Sequence, residues 1–149
     1  MIVRGMLGHR RHITWVRPSL SGYQASTCFY CGTAVTPLLG LEHSADVDHC
    51  FPHMLMARGV FLDLDDVWNL VLACAICNRG PAGKFHRLPH GESLDRLWRR
   101  NETLISSHHP LREAVIAATG KTPDARLTFL RSVQTRATEH ARADWRPTR

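Results

Sequence analysis

Lysine is nearly missing from this chain. Of its 19 Lys and Arg residues only Lys84 and Lys121 are lysine, so its basic character comes from planar guanidinium forks, which suit phosphate better than point charges do. Long hydrophobic runs are missing as well. No stretch approaches the roughly 18 apolar residues that span a membrane, and the opening MIVRGMLGHRRHITW has no continuous apolar segment of a secretory signal. The expectation is a cytoplasmic protein with no membrane partner. Cysteine is sparse and odd in number, five in 149 residues, which fits a disulfide framework poorly. In a reducing compartment, paired cysteines favour metal over disulfides. No internal repeat is present, and the length fits one domain with a modest core.

Four of the five cysteines form two Cys-x-x-Cys pairs, Cys28–Cys31 (CFYC) and Cys74–Cys77 (CAIC), that bracket Asp48-His49-Cys50-Phe51-Pro52. Each pair can form a knuckle presenting two thiolates to one ion, and the four together match a tetrahedral zinc pattern. The 42 residues between the pairs exceed the roughly 15–20 of simple zinc ribbons, so the metal would clamp a whole hairpin at its base. A thioredoxin-like redox pair and buried free thiols are the alternatives, and the redox reading lacks its βαβ setting. Cys50 has no partner at knuckle spacing and reads as a small buried hydrophobe.

Charge is unevenly placed. Residues 1–78 hold 5 Arg against 6 acids, and residues 79–149 hold 14 basic against 7 acidic residues, so the whole positive surplus follows the cysteine region. An arginine-rich half suits nucleic acid, although a solvated helical surface would look the same. Three segments follow: a basic lead-in (1–27), a Cys/His/Gly/Pro-dense module (28–90) and a helical extension of the same domain (91–149). In the lead-in, Pro18, Gly22 and Ser/Thr clusters read as partly irregular. Trp15 and Tyr23 are expected to pack on the cysteine region, and Arg10, Arg11 and His12 to form a solvated arm.

In the module, Ala45 to Cys50 reads as a strand, 53–67 as a long loop, Trp68 to Leu72 as a partner strand, and Ala75 onward as a helix kept short by Gly80-Pro81 and Gly83. In the extension, Leu94, Leu97, Trp98, Leu104 and Ile105 recur at helical spacing with Arg96, Arg99 and Arg100 on other faces. A break at 106–110 precedes a helix ending at Gly120, and after Thr122-Pro123-Asp124 a last helix carries Leu127, Leu130, Val133, Ala137 and Ala141.

The matching text CFYC, DVDHCFP and WNLVLACAICNRGPAGK, in that order over residues 28–84, resembles the HNH endonuclease family of zinc-clamped ββα-metal nucleases. The resemblance implies an α+β fold, a small ββα-metal module clamped by zinc on four cysteines with C-terminal helices packed on it. It implies DNA hydrolysis with His49 as general base, which an imidazole can be near neutral pH. Asp48 and Asn78 would hold a catalytic Mg²⁺ or Mn²⁺, ions that take oxygen ligands, and Asn69 would support the loop and orient the base. Lys84, with Arg79 and Arg87, would contact phosphate. Adjacent residues on a flat strand face opposite sides, so the strand must end or twist at His49, and Pro52 agrees with that.

The other polar residues read more plainly. Asp46 shares a strand face with Asp48; His43 and His53 flank the site; His86 and His90 follow Lys84 in a loop that could line a substrate groove; Asp63, Asp65 and Asp66 look like a metal cluster but read more simply as helix-start or loop acids; His108-His109 reads as a helix cap or link. The partner expected is DNA, in double-stranded form. A homodimer or a partner protein would supply a second cut or targeting. The alternative function is a non-catalytic, zinc-dependent nucleic-acid-binding module or targeting subunit.

Overall fold

All four residues of β2 (Leu70–Ala73, LVLA) are apolar and all four are buried, so the strand needs cover on both faces and lies at the centre of the fold. β1 (Asp46–His49, DVDH) pairs with it antiparallel, Asp46 opposite Ala73 and His49 opposite Leu70. Buried backbone groups need partners, and along the other edge of β2 side chains supply them. The Gln24 amide donates to Leu72 O at 3.1 Å and accepts from Leu72 N at 3.0 Å. The Arg100 guanidinium donates to Leu70 O at 2.6 Å. The computed structural model describes residues 16–58 and 63–148. Among them the chain is a small mixed α/β structure, and no helix is long and apolar enough to cross a membrane.

The elements before β2 set up its ends. α1 (Arg17–Tyr23) has Pro18 in its first turn, where the missing N–H has no intrahelical partner to lose. That is why a stretch read as irregular is helical. The first cysteine knuckle closes through Cys28 N to Thr33 O and Gly32 N to Cys28 O, with Gly32 at φ +76° in the left-handed region that lacks a Cβ penalty. The expected loop after β1 holds a short helix, α2 (Met54–Ala57). Trp68 and Asn69, expected in the strand, belong to a 3₁₀ turn (Val67–Asn69) that precedes it. Trp15, Arg10, Arg11, His12 and the side chain of Tyr23 lie outside the described residues.

α3 (Ala75–Arg79) follows β2 directly, capped by the Cys74 sulfur. It stops at Gly80, where a Cβ would meet Ile76 O at 2.6 Å, so the chain folds back sharply. Lys84 N then reaches Cys77 O at 2.6 Å and Phe85 N reaches Asn78 O at 2.9 Å.

The extension is α4 (Glu92–Ser106), α5 (Arg112–Thr119) and α6 (Pro123–Thr138). Leu97, Leu104, Val115, Leu130, Val133 and Ala137 form their buried faces. The break between α4 and α5 is closed by His109, whose Nδ1 accepts from Leu111 N at 3.1 Å; burial lowers its pKa, which keeps that nitrogen an acceptor. α6 ends at Thr138, before Ala141. Beyond it β4 (Ala143–Trp145) pairs parallel with β3 (Leu88–Pro89). That pairing locks the tail to the module: Trp145 Nε1 donates to Ala82 O at 3.0 Å, and its ring meets Tyr30 edge-on at 5.0 Å.

Arg100 was expected to face outward. It is instead buried, and its guanidinium also donates to Val67 O and Trp68 O, both at 3.1 Å. Arg96 donates to Phe29 O and Tyr30 O. A long aliphatic stem lets an arginine cross apolar surface and place its fork on backbone carbonyls, which helical periodicity does not register.

Candidate functional site

The two knuckles sit at the base of the β1–β2 hairpin, one before it and one after β2. Their four Sγ atoms lie within 4.8 Å of one another. Cys31 Sγ and Cys74 Sγ are 3.8 Å apart, and a tetrahedron of sulfurs around an ion at about 2.3 Å has an edge of about 3.8 Å. The cluster therefore could hold a metal such as zinc. Burial raises the Cys28 thiol to about 11 and pushes Cys77 up further. Burial acts upward on Cys31 too, but hydrogen bonds with Thr33, Cys77 and Cys28 bring it down to about 7. Four thiolates in so small a space repel, and a divalent cation is what allows all four to ionise together. Cys50 lies apart in the core, its thiol pushed up to about 12 by burial.

At the other end of the hairpin, Asn69 lies wholly inside the molecule. Its Nδ2 donates to Phe51 O at 3.0 Å and Leu64 O at 2.9 Å, and its Oδ1 accepts from Phe51 N at 2.8 Å. One side chain thus ties the exit of β1 to the far end of the connecting loop. That loop carries Asp65, and His49 Nε2 lies 2.7 Å from Asp65 Oδ1. The His53 ring meets the His49 ring at 5.2 Å, tilted 62°. β1 ends at His49.

Asp48 and Asn78 have other partners. Asp48 is buried; its Oδ2 accepts from Tyr30 Oη at 2.6 Å and lies 3.2 Å from Lys84 Nζ. Asn78 Nδ2 and Arg79 Nε both donate to Asp46 Oδ2 at 2.9 Å. The strand's alternation accounts for the division: Asp46 and Asp48 share a face, met by α3 and the turn after it, while His49 meets the loop. Among the described residues no hydrogen bond joins any two of His49, Asp48 and Asn78; Lys84 links the first two by also donating to the His49 carbonyl at 2.7 Å. For a hard divalent ion the donors suit in kind, a carboxylate and an amide oxygen. Asn78 donates through Nδ2, so Oδ1 is the atom it could offer to such an ion.

Lys84 is a correction. Expected at a phosphate, it has 0% of its surface exposed and serves the interior. Arg79 and Arg87 are exposed, Arg79 bound to Asp46 and Arg87 to Gly83 O. His43 is exposed beside Glu42, His86 is exposed, and His90 bonds with Arg146. The sequence did not single out Tyr30, and Asp65 read there as one of three ordinary acids. Asp65 had one available signal, its position four residues before Asn69, but the neighbouring acids Asp63 and Asp66 made it look like an ordinary loop residue. Compared with protein-family models, with curated proteins and with solved structures, the chain has no match.

Proposed function

We propose that this chain is a metal-dependent endonuclease of the HNH type, hydrolysing phosphodiester bonds of double-stranded DNA with His49 as general base. The observation that carries the reading is His49 itself: an imidazole at the end of β1, 2.7 Å from a buried carboxylate, in a hairpin braced by Asn69 at one end and drawn together by four sulfurs at the other. A His so held, on the strand end where the HNH motif has its base, can take a proton from water as that water attacks phosphorus. Asp48 and Asn78 would hold Mg²⁺ or Mn²⁺; such an ion, when bound, offsets charge on the phosphoryl group and the leaving 3′ oxygen. Arg79, the last residue of α3, and Arg87, both exposed, would grip the phosphate backbone. A second copy or a partner protein would complete a double-strand break or supply targeting.

One observation favours a second reading, a zinc-dependent nucleic-acid-binding module or targeting subunit that does not cut. The buried Lys84 ammonium stands 3.2 Å from Asp48 Oδ2 and already balances the charge that a metal would need. A plasmid-nicking assay separates the two, run with Mg²⁺, Mn²⁺ or EDTA and with His49→Ala beside wild type. Wild type should nick only with added metal, and His49→Ala should lose about 100-fold or more of the rate while keeping its fold and DNA affinity. Undiminished cleavage by His49→Ala would remove the base assignment. A wild type that binds DNA and never cuts it selects the second reading.

A further inference from the structure

The polar groups around the end of β1 are not equally well explained by the nuclease reading, and Asp65 is the one left over. Its side chain is 3% exposed, that of His49 is 13% exposed, and Nε2 to Oδ1 is 2.7 Å. Asp65 is also firmly placed. Its own N–H donates to Asp63 Oδ1 at 2.9 Å, and the carbonyl of the residue before it accepts from Asn69 Nδ2 at 2.9 Å. Leu64, fully buried, anchors the same point of the loop. A carboxylate so fixed offers His49 one direction in which to bond.

An ionised carboxylate only accepts hydrogen bonds, so the nitrogen that meets it must carry the proton. In a neutral imidazole the other nitrogen then holds the lone pair. We infer that Asp65 is the positioning residue for His49: it fixes the imidazole as the Nε2–H tautomer and so makes Nδ1 the atom that takes a proton from water. This rests on the reading of His49 as general base. The step balances without a further reagent. Water gives one proton to Nδ1 and its oxygen bonds to phosphorus; the P–O3′ bond breaks and the leaving oxygen takes a proton from solvent. The imidazolium then returns its Nδ1 proton to solvent, while the Nε2–H···Asp65 bond persists throughout. The same logic of a carboxylate holding a histidine in its working tautomer serves hydrolases of other folds.

Two measurements test this. The first needs no variant: long-range ¹H–¹⁵N spectra of the wild-type, zinc-loaded protein, at a pH well above the ordinary imidazole range, report which nitrogen of His49 is protonated. Nε2–H is expected, and an Nδ1–H ring overturns the inference whether or not the protein cuts DNA. The second is Asp65→Asn, whose amide can donate to Nε2 and so favours the opposite tautomer, with the proton on the atom that should receive one. Single-turnover cleavage should fall about 100-fold or more, with DNA affinity and zinc content unchanged and the spectrum switched to Nδ1–H. Wild-type cleavage by Asp65→Asn, or a loss of rate that arrives together with lost zinc and lost DNA affinity, would overturn the inference. Failure of the underlying reading looks different: His49→Ala would cut as well as wild type.

Discussion

A buried lysine in a chain with only two lysines asks for a specific reason at the residue scale. Lys84 is wholly enclosed, with its ammonium 2.7 Å from His49 O, 3.2 Å from Asp48 Oδ2 and 5.9 Å from the Tyr30 ring centre. Breaking a buried pair by removing one partner costs about 3–5 kcal/mol, because the other charge stays buried without compensation. Lys84→Met should therefore destabilise the fold by about that amount in urea titrations, and Asp48→Asn in the same chain should recover part of it. A change below about 1 kcal/mol would mean that the carboxylate is compensated some other way. The pair also shows what was legible in single residues. Cysteine spacing identified the four sulfurs, because ligand geometry is written in short local intervals. Which carboxylate meets which partner was not legible: the alternation of β1 placed Asp46 and Asp48 on one face, but Asn78, Lys84 and Asp65 reach the hairpin from other elements.

Among the elements, α4 helps to hold the hairpin in place, and it does so through residues that looked like surface. Arg100 closes on the carbonyls of Val67, Trp68 and Leu70, and Asn101 Nδ2 adds a bond to Trp68 O at 3.0 Å. These bonds fix the 3₁₀ turn that presents Asn69, and through it the loop of Asp65. A hydrogen bond from a charged group contributes about 1.5–3 kcal/mol, and a buried acceptor left unsatisfied adds to the loss. Arg100→Ala should thus lower stability by at least about 3 kcal/mol in denaturant titrations; a loss under about 1 kcal/mol would show that water replaces the guanidinium. The apolar spacing of α4 and the break after it were readable from the sequence; α6 starts at Pro123, two residues before the expected start after Asp124, because Thr122 Oγ1 caps it by accepting from Ala125 N. β3 and β4 were not, because two- and three-residue strands carry no period to read, and their pairing joins segments more than 50 residues apart.

For the whole molecule, the basic half is less exposed than its composition implies. Arg100 is spent on backbone carbonyls, and Arg126 on two bonds to Glu102 at 2.6 and 2.8 Å. The sulfur cluster joins the segment before β1 to the segment after β2. Binding free energy of a structural zinc is folding free energy, so purified protein should carry about one zinc per chain, and a strong chelator should lower its melting temperature sharply. Acid should act in the same direction, because protons compete for thiolates: the metal's contribution is present near neutral pH and is lost as pH falls and the ion leaves. Cys74 allows the metal's share to be isolated. Its sulfur also caps α3 by accepting from Cys77 N at 3.4 Å, and serine is among the best residues for that cap. Cys74→Ser therefore keeps the cap and removes only the thiolate. Circular dichroism melts of Cys74→Ser with and without chelator should nearly coincide, at a temperature well below that of wild type. Wild-type stability in Cys74→Ser, or purified protein without bound metal, would mean that the four sulfurs are held together by packing alone.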